Sequence, residues 1–143
     1  MDSLVALADR AAILDTVAEY AFAVDGKDWA AVAALFTDDA EGLFGGRVGT
    51  AHGGTAIAEA IRRTIGDLDA THHMVTNSVV RLHGDDAEHN CYLHAQHIRD
   101  GNSYVVGGRY DDRLRRVGDR WLLCGRLVTR NWTSGDRNVI VPS

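Results

Sequence analysis

The sequence predicts an α+β domain in which N-terminal helices pack on a strongly curved, mainly antiparallel β-sheet. Apolar residues recur with helical spacing in the first half of the chain, whereas four β-rich runs fill most of the second half. The separators between those runs are short and rich in turn-forming residues, which is typical of sequential hairpins. At 143 residues the chain has the length of one domain, so we assign residues 1–143 to a single unit.

Helical periodicity predicts a first helix over Leu4–Asp25, with Gly26 as its C-terminal stop. We expect its apolar stripe to face the sheet, and this stripe contains Leu4, Leu7, Ala11, Leu14, Ala18 and Ala21. The next position of the same stripe is Asp25, and a carboxylate on a face turned to the sheet needs a polar partner. In the alternative interpretation, the helix ends near Tyr20 and Asp25 merely begins a loop.

Two shorter helices are predicted before the sheet. Asp28 can cap a helix over residues 29–36, and Thr55 can cap another that ends at Gly66. Between these helices, the glycine-rich residues 37–54 indicate a turn and a short, irregular hairpin.

The β-rich runs lie at residues 71–83, 87–99, 103–116 and 120–132. Their separators are GDD, DGN and VGD, so consecutive strands should pair as an antiparallel meander. Because long antiparallel sheets twist, we expect this sheet to curl into a cup that the helices close.

Composition excludes several classes of partner and site. The net charge is −5 and no window collects Lys or Arg without neighbouring acids, which argues against nucleic acid or an anionic membrane as partner. The first residues, MDSLVALADR, lack the basic start of a signal peptide, and no apolar stretch is long enough to span a membrane; we therefore expect a cytoplasmic protein. The two cysteines, Cys91 and Cys124, lie in strand-like runs and read as reduced core residues.

Four histidines lie in two neighbouring predicted strands. His72 and His73 are adjacent, so they point to opposite faces of the sheet, and the odd separation of His94 and His97 does the same. A buried carboxylate that holds one imidazole nitrogen leaves the other as a base for catalysis near neutral pH. Asp25 and one of these histidines are therefore a candidate acid–base pair.

Five segments of the chain, taken in order, resemble a known family. Residues 20–29 (YAFAVDGKDW) and 35–39 (LFTDD) are similar to the helix pair that opens SnoaL-like proteins of the NTF2 fold. Residues 71–77 (THHMVTN), 108–112 (GRYDD) and 121–126 (WLLCGR) resemble that family's strand motifs. The resemblance covers roughly residues 5–132 and implies an NTF2-like cone, in which helices close one side of the curved sheet.

The resemblance is greatest to the branch that holds scytalone dehydratase, bile-acid 7α-dehydratase and hexachlorocyclohexane dehydrochlorinase. It implies a catalytic dyad of Asp25 and His73, with His73 rather than His72 inside the cup and within hydrogen-bonding reach of Asp25. It also implies a catalytic role for Tyr20, although an ideal helix turns Tyr20 away from Asp25 and a packing role under the sheet is equally open. Of the next strand's histidines, we favour His94 for the interior.

Further residues are candidates for binding a substrate. Arg126 and Arg130 are four apart on one strand, so they share a face and could bind an oxyanion or carboxylate; exposed or interface arginines are the alternative. Asn77 belongs to the family-like strand motif and is a further candidate. The aromatic residues expected to form an apolar pocket wall, or else core, are Trp29, Phe44 and Trp132.

These observations predict a cofactor-independent lyase or isomerase that acts on a small, mostly apolar cyclic molecule of the steroid, terpenoid, polyketide or haloalicycle class. We expect no bound metal and a homodimer or homotrimer. Three alternatives stay open. The first is a non-catalytic NTF2-like binding or assembly module, and the second is a metal site formed by Asp25, His73 and either His94 or His97. The third is the β subunit of a ring-hydroxylating dioxygenase, although the short segment after Trp132 argues against it.

Overall fold

The computed structural model describes residues 3–140, so the ends of the predicted 1–143 domain lie outside the described residues. Its three helices are α1 (Leu4–Asp25), α2 (Trp29–Ala34) and α3 (Gly54–Ile65). Its six strands are β1 (Phe36–Leu43), β2 (Thr50–His52), β3 (Ala70–His83), β4 (Asp86–Arg99), β5 (Asn102–Val117) and β6 (Arg120–Gly135). A 3-10 turn, Arg137–Val139, follows the last strand. The predicted α+β order of helices and strands is confirmed.

The strands form one curled sheet in the order β2-β1-β6-β5-β4-β3. The last four strands are the predicted antiparallel meander, and their turns each contain a glycine with positive φ: Gly84, Gly101 and Gly118. Only the β1–β6 pairing among the described strands is parallel. Register shifts in β3 and β6 interrupt the ladders, and such bulges bend and twist a sheet.

Side-chain capping starts two of the three helices. The hydroxyl of Ser3 accepts the backbone N–H of Ala6, and the carboxylate of Asp28 accepts that of Ala31. Helix α2 ends at Ala34 rather than residue 36, because the chain passes into β1 there. Helix α3 begins after Gly53 instead of Thr55, and no side chain caps it.

Helix α1 has the predicted bounds but presents a different face to the sheet. Leu4, Leu7 and Leu14 of the predicted stripe are 85%, 51% and 42% exposed, so that assignment is wrong. The buried face contains Ile13, Thr16, Val17, Tyr20, Ala21, Ala23 and Val24. The helix is apolar on both faces, and polar contacts decide its rotation: the Thr16 hydroxyl donates to the Trp121 carbonyl at 2.7 Å, and the indole N–H of Trp121 donates to Asp9.

A buried polar network lies between α1 and the central strands. Nε and Nη2 of Arg126 donate to the two carboxylate oxygens of Asp112 at 2.7 and 2.9 Å, and neither side chain is exposed. Arg126 also stacks on two tyrosine rings, with its guanidinium carbon 3.7 Å from the ring centre of Tyr110 and 4.4 Å from that of Tyr20. On the other side of Asp112, His89 Nδ1 lies 2.8 Å from Oδ2.

This network explains the electrostatics of its members. Burial alone would raise the pKa of Asp112, but the charge and hydrogen bonds of Arg126 outweigh it, so the pKa of Asp112 lies below its ordinary value. The Asp112 carboxylate is therefore ionised, and it accepts the Nδ1–H of His89. That tautomer leaves His89 Nε2 as the acceptor for the Ser78 hydroxyl, 2.9 Å away.

Two adjacent residues of α1 test which face of the helix is buried. Ile13 is fully buried, whereas Leu14 is 42% exposed, and the two side chains are isomers. We expect Ile13→Ala to lower the free energy of unfolding by about 2–5 kcal/mol through lost burial and a residual cavity. Leu14→Ala should change it by less than about 1 kcal/mol. Urea unfolding followed by circular dichroism measures both, and a larger loss for Leu14→Ala would restore the stripe predicted from periodicity.

Neighbouring aspartates of β5 test the buried network. Asp112→Asn removes the charge that compensates the buried Arg126, so we expect a loss of about 3–5 kcal/mol in the free energy of unfolding. Asp111→Asn is the matched control: Asp111 pairs with Arg109, whose side chain is 45% exposed, and the expected loss is below about 1 kcal/mol. Equal losses in urea unfolding would contradict a special role for the Arg126–Asp112 pair.

Candidate active site

Asp25 is the last residue of α1, and its carboxylate accepts three hydrogen bonds from β3. Its Oδ1 lies 2.8 Å from the Thr71 hydroxyl and 2.7 Å from Nδ1 of His73, while Oδ2 accepts the backbone N–H of His73 at 2.9 Å. Burial raises the pKa of Asp25, but the hydrogen bonds from His73 and Thr71 outweigh burial and hold the pKa below its ordinary value. Asp25 is therefore an ionised acceptor, and the contact expected between Asp25 and His73 is present.

His73 lies on the face of the sheet that α1 covers, as predicted, whereas His72 is exposed on the other face. An ionised Asp25 can only accept, so Nδ1 of His73 carries a proton and Nε2 carries the free lone pair. The His73 side chain is 9% exposed and forms part of the wall of a cavity. The carboxylate thus fixes both the orientation and the tautomer of the imidazole.

The cavity lies between α1, α3 and the inner face of the sheet and has a volume of about 230 Å³. Most of its wall is apolar, from Tyr20, Phe44, Ile61, Ile65, Leu93, Ala95, Tyr104, Val106, Tyr110, Val128 and Ile140. Polar groups in the wall are His73, His97, Thr64 and the arginines described below. An apolar chamber with few converging polar groups is the usual form of a small-molecule site.

His97 and not His94 lies inside the cup, so the preference for His94 is wrong. A bulge at residues 77–78 of β3 is the reason. From the hairpin pair His83–Asp86, regular counting would place His73 opposite Gln96 and on the same face as His94; the bulge moves the partner of His73 to Ala95. That one-residue shift turns His97 inward and His94 outward.

Asn77 forms this bulge and does not line the cavity. It is exposed, and its φ of 60° lies in the left-handed region that asparagine tolerates better than most residues. Asn77, which was expected to bind substrate, is absent from the wall of this cavity, because it lies in the bulge rather than on the inner face. Its observed effect is on register, since it sets which β4 histidine shares a face with His73.

The three aromatic residues expected in the pocket wall differ in position. Phe44 lines the cavity, whereas Trp29 packs against the hydrophobic core away from it. Trp132 is 51% exposed on the outer face, with its ring 5.8 Å from that of His94. A shift in register between β5 and β6, immediately before Trp132, accompanies this outward orientation.

Tyr20 packs under the sheet and also lines the cavity, so its position is compatible with both expected roles, packing and catalysis. Its ring meets Phe36 and Tyr110 edge-on, with centroid distances of 6.0 and 6.1 Å. Burial raises the pKa of Tyr20, which keeps its hydroxyl protonated at neutral pH and available as a hydrogen-bond donor.

The two arginines of β6 share the inner face, as their spacing predicts, but they differ in role. Arg126 is fully buried in the network with Asp112 and is absent from the wall of the cavity. Arg130 lines the cavity near its mouth and donates to the Phe44 carbonyl at 2.6 Å. Sequence reasoning missed two further arginines in the wall, Arg47 and Arg137, because neither belongs to a patterned element.

Sequence reasoning also missed the buried role of His89, although a signal for it is present. His89 follows Ala87 and precedes Cys91 on alternate positions of β4, so it is a polar residue on an apolar face. The same kind of signal identified Asp25.

Within residues 3–140, His, Cys, Asp and Glu side chains form no group of three suited to a metal ion. Among the described helices, none is long and apolar enough to cross a membrane.

His97 provides a test of the electrostatics of the cavity. Burial lowers its pKa to about 4, and repulsion from the positive charge of Arg130 and from a protonated His73 acts in the same direction. Unfolding exposes the ring and restores its ordinary pKa near 6.5, so the unfolded chain binds more protons between these values. We therefore expect a contribution to stability that is complete above about pH 6.5 and is lost as the pH falls through about 4.

The measurement is urea unfolding between pH 4 and 7, for the wild type and for His97→Gln. The wild type should lose stability more steeply on acidification, because only it contains the buried imidazole. A ring titration of His97 near pH 6.5 by NMR, or parallel pH profiles of the two proteins, would contradict the prediction.

Comparison with known proteins shows which family has a similar sequence. The family model described as the SnoaL-like domain matches residues 5–126. No protein with curated function matches the chain significantly. Three similar solved structures indicate the range of relatives.

A protein from Novosphingobium aromaticivorans, provisionally named an aromatic ring hydroxylase, is 29% identical, with 94% of this chain and 97% of that chain covered and a TM-score of 0.84. Another from the same organism, provisionally named a scytalone dehydratase, is 21% identical, with 92% and 89% covered and a TM-score of 0.83. A hexachlorocyclohexane dehydrochlorinase from Novosphingobium barchaimii is 20% identical, with 92% of each chain covered and a TM-score of 0.80.

The last two similarities are of fold alone, whereas the family match is one of sequence. It extends from the start of α1 into the first half of β6 and includes both Asp25 and His73. The chain therefore belongs to the SnoaL-like family.

Proposed function

We propose that the protein is a cofactor-independent lyase or isomerase in which His73 removes a proton from a small, mostly apolar cyclic substrate. The observation that carries this proposal is the 2.7 Å contact between Asp25 Oδ1 and His73 Nδ1 at the wall of an apolar cavity. An imidazole whose Nδ1 donates to a carboxylate has its Nε2 lone pair free to accept a proton, and the carboxylate stabilises the resulting cation.

In an elimination, His73 Nε2 takes a proton from a carbon next to the one that bears the leaving group. The C–H electron pair becomes the new double bond, and the leaving group departs with its own bonding pair. In an isomerisation, the same proton returns to a different carbon of the substrate. Asp25 remains ionised in both cases and balances the charge of the imidazolium ion.

Two neighbouring groups support such chemistry as hydrogen-bonding partners. The protonated hydroxyl of Tyr20 can donate to an oxygen that gains negative charge, because Tyr20 lines the same cavity. His97 donates its Nδ1–H to the Tyr104 carbonyl at 3.1 Å, which leaves its Nε2 as an acceptor for a substrate hydroxyl.

The site is less consistent with a purely non-catalytic module. In such a module we expect side chains to fill the interior and Asp25 to lie apart from His73, whereas the chain has a cavity of about 230 Å³ and a direct hydrogen bond. The names of two structural relatives, a provisional dehydratase and a dehydrochlorinase, also describe eliminations. They lend support at the level of reaction class.

The expected homodimer or homotrimer also remains a proposal. Support comes from apolar side chains on the outer face of the sheet, where Met74, Tyr92 and Trp132 are 47%, 59% and 51% exposed. Sedimentation analysis of the purified chain tests it, and a monomer at high micromolar concentration would exclude such an assembly.

Proton abstraction can be assayed before the physiological substrate is identified. Cyclic ketones and β-hydroxy ketones are incubated with the protein in D₂O, and deuterium at the carbon next to the carbonyl is measured by NMR. Asp25→Asn should lower the exchange rate by several powers of ten, because it removes the charge that stabilises the imidazolium ion. His73→Ala should be comparably damaging, and the double variant little worse than either single variant.

His94→Ala is the matched control, since His94 is an exposed histidine on the outer face of the neighbouring strand. It should retain exchange within about twofold of the wild-type rate. If His73→Ala exchanged at nearly the wild-type rate while remaining folded, His73 would not be the base and the mechanism would be wrong.

A further inference from the structure

Three arginines from separate parts of the chain line the solvent-exposed mouth of the cavity. Arg47 belongs to the loop between β1 and β2, Arg130 to β6 and Arg137 to the 3-10 turn. All three line the cavity and all three are exposed. This concentration of positive charge contrasts with the net charge of −5 for the whole chain.

These arginines have no carboxylate partner within residues 3–140, and no Asp or Glu is among the residues that line the cavity. Most other described arginines are paired with an acid at 4.0 Å or less: Arg62, Arg99, Arg109, Arg115, Arg116, Arg120 and Arg126. The mouth therefore holds charges that the rest of the molecule does not balance locally.

The loop places the two glycines that precede Arg47 against the guanidinium group of Arg130. Gly45 and Gly46 both have positive φ, and hydrogen bonds from Gly49 N to Gly45 O and from Phe44 N to Gly49 O close the loop. A Cβ at either Gly45 or Gly46 would lie 3.4–3.5 Å from a guanidinium nitrogen of Arg130, so that guanidinium packs against the glycines just before Arg47. Like charges brought together repel, and a bound anion would relieve that repulsion.

The cavity behind these arginines limits the size of the uncharged part of a ligand. An engineered cavity of about 150 Å³ holds benzene. A volume of about 230 Å³ is therefore suited to a body of one or two rings, with any remaining group at the mouth. Apolar walls at depth and guanidinium groups at the opening together select for a molecule with two unlike ends.

We infer that the ligand of this site is an amphiphilic anion, in which a compact ring system fills the cavity and a carboxylate or phosphate group binds Arg47, Arg130 and Arg137. This inference names the substrate class of the proposed function and rests on it. The anionic group would be held at the mouth by charge-assisted hydrogen bonds, while the reactive carbon lies deeper, beside His73.

Calorimetric titration with matched probes tests this inference. The probes are 2-naphthoate, its uncharged counterpart 2-naphthamide, 2-naphthyl phosphate and inorganic phosphate alone. We expect 2-naphthoate to bind about tenfold or more tightly than 2-naphthamide. The better of naphthoate and naphthyl phosphate then identifies the type of anion, and inorganic phosphate should bind much more weakly than either.

The double variant Arg47→Gln/Arg137→Gln should reduce the preference for naphthoate over naphthamide to about threefold or less. Arg113→Gln is the control. Arg113 is exposed on β5 and absent from the cavity wall, and its substitution removes a guanidinium charge away from the site. It should keep the preference of the wild type. Circular dichroism melting shows whether each variant is folded.

Equal binding of naphthoate and naphthamide, binding of neither, or an undiminished preference in the double variant would overturn the inference. Inorganic phosphate binding as tightly as naphthyl phosphate would also overturn it, since the cavity would then contribute nothing. The proposed function and the ligand class can be contradicted independently of each other. An anion preference that persists while no compound exchanges deuterium contradicts the chemistry alone, whereas exchange of neutral ketones without any anion preference contradicts the ligand class alone.

Discussion

The guanidinium group of Arg126 connects helix α1 with the two central strands of the sheet. It donates to Asp112 across the β5–β6 pairing and stacks on Tyr20 of α1 and Tyr110 of β5. Burying a charge of this kind is tolerated only while its partners are in place. Because Tyr20 and Tyr110 also form part of the cavity wall, the shape of the candidate site depends on an ion pair that is not itself part of that wall.

The same constraint extends along α1 to the candidate catalytic pair. Polar contacts hold the helix at three positions: Asp9 with Trp121 in its first third, Tyr20 on Arg126 in its last third, and Asp25 with His73 at its end. The distance between Asp25 and His73 is thus set jointly by the rotation of α1 and by the register of β3, and neither contact is independent of the fold.

Sequence pattern predicted the features of this fold that depend on local chemistry. Turn residues located the four strands of the meander, and helical spacing located both ends of α1. The apolar stripe that directed attention to Asp25 is not the face that meets the sheet, since Leu4, Leu7 and Leu14 are exposed; Asp25 contacts β3 from the last position of the helix. The buried face of α1 was not predictable in this way, since the helix is apolar on two sides and long-range contacts of Thr16 and Asp9 choose between them.

The register between β3 and β4 was the second feature that the sequence did not predict. Turn position alone would put His94 beside His73, and the bulge at Asn77 reverses that choice by one residue. A bulge shifts the register of every residue beyond it, and its trace in the sequence of β3 is a single asparagine that tolerates left-handed φ. The arginines at the mouth were missed for a related reason: Arg47 and Arg137 come together only through the closed fold, and neither lies in a periodic segment.

His73 and His97 both line the cavity, but they differ in chemistry because the Nδ1 atom of each ring has a different hydrogen-bonding partner. Their ring centres are 5.9 Å apart, yet Nδ1 of His73 meets an ionised carboxylate and Nδ1 of His97 meets a neutral carbonyl. A proton on His73 is therefore balanced by Asp25. A proton on His97 would be buried, and burial above all lowers the pKa of His97 to about 4, with repulsion from Arg130 and from a protonated His73 acting in the same direction. In the proposed mechanism, His73 rather than His97 accepts the proton taken from the substrate. His97 stays neutral and acts as a hydrogen-bond acceptor.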